Sequence, residues 1–288
     1  MKSILKFASV LTLVAAASAA DKLTKPALSD DLDYLLAGNQ ANLPGKSYSI
    51  FPWTPGKIPH DCRTHAQSYD HPLSEIEVYD VLYEDCNTKW VFCRHKDAES
   101  SIQTAASTFG KVPAGIRDWT RHVMLLPSSD GNGAFNDRNG NVVFFGEKNV
   151  NVYLHETGHS LDVLKGFDGV ETNKNPTYLN AYAFDSHVPD NYAQTNHIEN
   201  VAQNTVIAVY DINVPGGFPG ANKDFDKIMH QNTAVKAIYG DVLKTGGKCG
   251  KRLEPSETIV FARNRKRDGA GAFGRVRGLK RAGDVDRF

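Results

Sequence analysis

Beyond its first twenty residues the 288-residue chain has no apolar run long enough to cross a bilayer; its best later stretches, Val142 to Phe145 and Val206 to Val209, are only a few residues long. A later membrane span is therefore excluded. It also lacks any C-x-x-C pair, so its four cysteines (Cys62, Cys86, Cys93, Cys249) do not read as a zinc ribbon. No Asn-x-Ser/Thr sequon is present, since Asn175 is followed by Pro176, and N-glycosylation is not expected. Net charge is absent too: 33 Lys and Arg balance 33 Asp and Glu.

What is there begins with Lys2 and Lys6, the apolar run Phe7 to Ala17, and the small residues Ala17 to Ala20. That order predicts a secretory signal peptide over residues 1–20, cut after Ala19 or Ala20, and hence an extracellular protein. Export makes the cysteines readable as two disulfides. The expected pairing is Cys86 with Cys93 across "CNTKWVFC" and Cys62 with Cys249 across the domain, where a long closed loop constrains the unfolded chain most.

The zero charge conceals a division. Residues 263–288 hold nine Lys or Arg against three Asp, a net +6, so the preceding chain carries −6. This Gly-rich basic tail has few large apolar residues and is expected to be disordered. It is read as solvated, or trimmed at Lys266-Arg267 and Lys280-Arg281, rather than as a nucleic-acid arm. Neither a nucleic acid nor a membrane is an expected partner.

At 41% hydrophobic and 23% charged, the rest has the make-up of a globular domain. Residues 21–72, rich in Pro, Gly and Asp, read as a loosely structured arm. Residues 73–262 read as the domain proper: strands at "SEIEVYDVLYEDC", "KWVFC" and "HVMLLP", a helical stretch from Ala98 to Trp119 broken near Pro113, and a strand pair joined at Asn139-Gly140. Helical patterning follows from Val150 and again over 190–211. The order predicts an α+β fold, a small mixed sheet followed by an active-site helix and a second ligand-bearing helix.

The first of those helices contains "LHETGHSLD". On a helix His155 and His159 share one face, so both imidazoles can reach one ion, and Glu156 stands beside it as a general base for a water activated by zinc. Chance produces His-Glu-x-x-His in about one chain in a hundred of this size. Gly158 costs about 1 kcal/mol relative to Ala in a helix interior, which calls for a packing or functional reason. The metzincin continuation is excluded, because Asp162 and Lys165 stand where it needs Gly and His. A third ligand must come from further along. Glu199, the early acid of an otherwise apolar helix with Ile198, Val201, Ala202, Thr205 and Ala208 on one stripe, is preferred over a purely capping role behind Asn196. Glu171, Asp185 and His187 are its competitors. Asp162 is suited to hold an imidazole in one tautomer.

"HETGHSLD" together with "YAQTNHIENVA" resembles the zinc peptidase domain of anthrax toxin lethal factor and its relatives, with matches at His155, Glu156, Gly158, His159, Asp162, Tyr192, Ala193, Glu199 and Ala202. The chain also resembles small secreted fungal proteins associated with conidiation. The first resemblance covers roughly residues 148–211 and departs at Gln203, where relatives often carry an acid. It implies a zincin-like fold, a Zn2+ cofactor, a peptide or protein substrate, and for Tyr192 a hydroxyl that meets the oxyanion or the leaving amine. Tyr153, Tyr178 and Tyr182 are the substitutes for that role. The expected function is a secreted zinc-dependent endopeptidase; the alternative is a catalytically silent zincin-fold surface or spore-associated binding protein. The strand near Val142 to Phe145 is expected to be the sheet edge that pairs with extended substrate.

Overall fold

The computed structural model describes residues 22–250 and 252–261, so the expected signal peptide and basic tail lie outside the described residues. In chain order its elements are β1 (Ala27–Ser29), α1 (Leu36–Asn42), β2 (Tyr48–Pro52), β3 (Lys57–Pro59), α2 (His60–Ser68), β4 (Ile76–Tyr83), β5 (Trp90–His95), α3 (Ile102–Phe109), α4 (Ala114–Arg117) and β6 (His122–Leu126). There follow β7 (Gly133–Asn136), β8 (Asn141–Phe145), α5 (Val150–Ser160), α6 (Pro176–Phe184), β9 (Val188–Asp190), α7 (His197–Asn213), α8 (Gly217–Ala221), α9 (Met229–Tyr239) and β10 (Thr258–Val260).

The architecture is mixed α+β. A six-stranded sheet runs in the order β2-β4-β5-β6-β8-β7, parallel at β5-β6-β8 and antiparallel elsewhere. Its central strands read as unbroken apolar runs because both faces are covered. Val123, Leu125, Val142 and Phe144 point into the larger core with residues of α3, α5, α7 and α9, while Met124, Leu126, Val143 and Phe145 point into a second core under α2. The turn between β7 and β8 places Gly140 at φ +88°, where a Cβ would also meet the Trp119 carbonyl at 2.8 Å. Only glycine fits there.

Three expectations are corrected. The disulfides join Cys62 to Cys93 and Cys86 to Cys249. Cys93 stands opposite Val78 in the β4-β5 ladder, and both belong to the second core, whereas Cys86 belongs to the first. The neighbouring pair thus projects to opposite faces of the sheet, and Cys93 finds α2 instead. Strand β8 is interior, and the sheet edge on that side is β7, because the chain lays β7 outside the strand that follows it. Residues 22–72, the described part of the expected arm, are not loose either. Within them β2 pairs with β4 along five positions, and α2 is tied to β5 by Cys62; the Pro and Gly there mark turns between short elements.

Under the second core His122 is buried in a network with a pH signature. Its Nδ1 lies 2.6 Å from Asn141 Oδ1, and its Nε2 accepts the Ser256 amide at 3.3 Å, so the ring is neutral with its hydrogen on Nδ1. Burial drives its pKa down from 6.5 to about 4, against the pull of Asn141 and Asp61. The unfolded chain therefore takes up a proton that the fold refuses. Stability is full above pH 6.5 and is expected to fall by about 3 kcal/mol as the pH drops to 4. Urea unfolding across that interval should show a shallower slope for His122→Gln than for the wild type; equal slopes would assign the acid sensitivity elsewhere.

Candidate metal centre

Helix α5 starts at Asn149, whose side chain accepts the amides of Asn151 and Val152, and nearly every residue along it is buried. It lies across α7, and Gly158 marks the crossing. A Cβ there would sit 3.2 Å from Thr205 Cβ and 3.4 Å from Ala202 Cα. The mid-helix glycine is explained by this approach, which brings the acid of one helix to the histidines of the other.

Glu199 Oε2 lies 3.1 Å from His155 Nε2 and 3.3 Å from His159 Nε2, and the two Nε2 atoms are 2.9 Å apart. Tetrahedral zinc with bonds of 2.0–2.1 Å separates its ligand atoms by about 3.3 Å, close to this spacing. Among the described residues one other group could bring three such atoms together, Asp85 with Cys86 and Cys249, but its sulfurs are joined in a disulfide. Glu156, 1% exposed, stands next to His155 with its Oε2 lacking any hydrogen-bond partner. A buried polar atom without a partner is costly to the fold.

The electrostatics follow from burial. Burial resists charge on Glu199, yet the two imidazoles hold its carboxyl well below the usual range. Burial, the largest single influence, likewise opposes the proton on His159, but Glu199, Glu156 and Asp162 together draw the pKa up to about 9. For His155 burial dominates and the pKa falls; for Glu156 it pushes the carboxyl up to about 8. Three donors crowd around shared positive charge, and a divalent cation competes for the same lone pairs.

The capping alternative for Glu199 describes a different part of the same residue. Asn196 Oδ1 accepts the Glu199 backbone amide at 2.9 Å, while the carboxylate turns to the histidines. The competitors lie elsewhere: Glu171 is paired with Arg138 and Lys174, Asp185 accepts the amides of His230 and Gln231 at the start of α9, and His187 contacts Ser186. Asp162 differs from expectation. Its carboxylate accepts the backbone and side-chain N–H groups of Asn173 at 2.8 and 2.7 Å, and it reaches His159 only through its charge. The helix widens into a π turn over Leu161–Lys165, which carries Asp162 toward that loop. Burial raises its pKa to about 6.

The ring of Tyr192 is 5.6 Å from that of His155, so this tyrosine stands at the cluster. Tyr153 is stacked on Phe144 in the core, Tyr178 lies near Asn204, and Tyr182 packs on His197. Of two supports, sequence reasoning noted Gln203 only as a departure from the family and missed Asn136. Gln203 Oε1 lies 3.0 Å from His155 Nδ1, and Asn136 of edge strand β7 donates to the Glu156 carbonyl at 2.9 Å and to Ser160 Oγ at 2.8 Å. Gln203 sits four residues after Glu199, one turn along the same face, and that spacing was the signal available.

Fold and site together define a disulfide-bonded α+β domain carrying a buried His-His-Glu cluster on two crossing helices. The chain belongs to the conidiation-specific protein Con-13 family, which it matches over residues 30–271. It is 30% identical over 185 residues to conidiation-specific protein 13 of Neurospora crassa; the alignment takes in 62% of this chain and 53% of that one, so the chain spans about half the length of this relative. No solved structure matches it.

Proposed function

We propose that the chain is a secreted zinc-dependent endopeptidase of the zincin type, related in its site to the lethal factor peptidase domain. The observation that carries this is the convergence of His155, His159 and Glu199 Nε2 and Oε2 atoms within 4.8 Å of one another, with the unpartnered Glu156 carboxylate oxygen alongside. His155, His159 and Glu199 would hold the ion, which when bound supplies Lewis acidity toward water and a peptide carbonyl. Glu156 takes the proton from the attacking water and returns it to the leaving amine. Tyr192 donates its hydroxyl to the carbonyl oxygen as negative charge grows there. Strand β7, on the sheet edge and pinned to α5 through Asn136, offers its outer backbone groups to an extended peptide. Export rests on the signal-like residues 1–20; among the described residues no helix is long and apolar enough to cross a membrane.

A second reading is favoured by the family match: a catalytically silent spore-associated protein that uses the same fold for binding. The relative is named for a developmental stage and not for a reaction. The burial of the cluster points the same way, since its most accessible member, His159, is only 8% exposed, which leaves a peptide little access to it. Zinc content and turnover of a mixed peptide library by the purified protein separate the two: zinc without cleavage at any pH selects the binder, and cleavage selects the enzyme.

Glu199→Ala distinguishes ligand from cap. The substitution leaves the Asn196 cap in place, because that bond uses the backbone amide. Helix content is expected to stay near wild type while zinc affinity falls by about a hundredfold or more, two histidines being a poor site alone. Asn196→Ala should do the reverse, costing about 1 kcal/mol and keeping the ion. Zinc retained by Glu199→Ala at wild-type affinity would remove Glu199 from the site.

A further inference from the structure

We infer that Asp190, acting through Gln203, fixes the tautomer of His155 and so decides which imidazole nitrogen is offered to a metal; this rests on His155 being a ligand. Both residues are buried, Asp190 at 1% and Gln203 at 6% exposure. A glutamine amide is ambivalent, because turning it over exchanges an acceptor for two donors. Asp190 removes the ambivalence. Its Oδ2 accepts from Gln203 Nε2, and its carboxylate also accepts the backbone N–H of Ala193, at 2.8 Å from Oδ1, and that of Tyr192. Every contact it makes there is with a donor, so its ionised form, the one present above the pKa of about 7 to which burial raises it, takes N–H from the amide and turns Oε1 to His155.

The consequence passes down the chain of bonds. Facing Oε1 at 3.0 Å, His155 Nδ1 carries the hydrogen and donates it. Its Nε2 is left with a lone pair directed at the cluster, where His159 Nε2 lies 2.9 Å and Glu199 Oε2 3.1 Å away. Were the amide reversed, Nδ1 would have to accept, and the hydrogen would move to Nε2 and block ligation. Asp190 is thus a positioning residue. It touches neither ion nor substrate, and the same carboxylate holds the amide of Tyr192, so one side chain aligns both the ligand and the tyrosine.

Asp190→Asn is the test, since the new side chain can still accept from Ala193 but can turn a donor toward Gln203. Its zinc affinity, measured by chelator competition, is expected to be 10- to 100-fold below wild type. In zinc-free protein at pH 8, long-range 1H–15N spectra should show His155 changing from the Nδ1–H tautomer to a mixture. Adding Gln203→Glu should restore both properties: one oxygen of the carboxylate introduced at position 203 accepts from the amide introduced at position 190, and the other accepts from His155. Unchanged affinity with an unchanged tautomer in the single variant, or no recovery in the double, overturns the inference. If the wild type takes up no zinc, the metal reading of the site fails, while the tautomer comparison in zinc-free protein still decides the role of Asp190.

Discussion

Glu156→Gln is expected to bind zinc and fold as the wild type does while kcat falls by at least about a hundredfold, the lower end of what a positioned acid-base group supplies. Gln keeps the shape of the side chain and removes the carboxylate that can take a proton. The position suits the test, because Glu156 is buried among the ligands and its Oε2 has no partner to lose. A pure binding protein predicts a different pattern. Removing a buried, unsatisfied acidic group would then cost nothing in function and could raise stability. Peptide turnover by Glu156→Gln equal to that of wild type would rule out this glutamate as the base, and parallel measurement of melting temperature shows which pattern holds.

The second large effect concerns the ion itself. Wild-type protein is expected to carry about one zinc per chain, and His155→Ala with His159→Ala to carry none, because Glu199 alone cannot hold a tetrahedral site. The pair of substitutions should also change stability in a way that depends on zinc. With the ion in excess the wild type gains free energy by mass action, about 2.7 kcal/mol at a hundred times Kd, and the double variant gains none. Stoichiometric zinc in the double variant would place the metal elsewhere in the molecule.

How far these residues could be read from the chain depends on the distance over which each relation acts. His155, Glu156 and His159 were legible because one helical turn fixes their geometry, and Glu199 because a lone acid on an apolar helix stands out. The sheet's strands were legible too, as apolar runs bounded by turns, and so was the Asn139-Gly140 hairpin that joins β7 to β8. The disulfides were not. Nearness along the chain favours Cys86 with Cys93, but the turn after β4 places Cys86 in the larger core while the pleat of β5 turns Cys93 to the second, and that is decided only when β4 pairs with β5. The edge strand was misassigned for a related reason: strand order in space is not the order in sequence, and β8 inserts between β6 and β7. Asp162 was misjudged because a π turn changes the direction of a side chain without leaving a mark in the hydrophobic pattern. The link from Asp190 to Gln203 spans a loop and a helix start, and no periodicity encodes it.

The contact at Gly158 has a meaning beyond packing. Two donors ride on α5 and the third on α7, so the cluster works as a gauge of the gap between two helices. The gap is set where a hydrogen, in place of a side chain, faces Thr205 and Ala202. A methyl there meets Thr205 Cβ at 3.2 Å, and relieving it moves the helices by a few tenths of an ångström. Metal–ligand bonds tolerate about 0.2 Å. On the proposed zinc reading, positions 158, 202 and 205 would therefore bear on the retention of an ion that none of them touches.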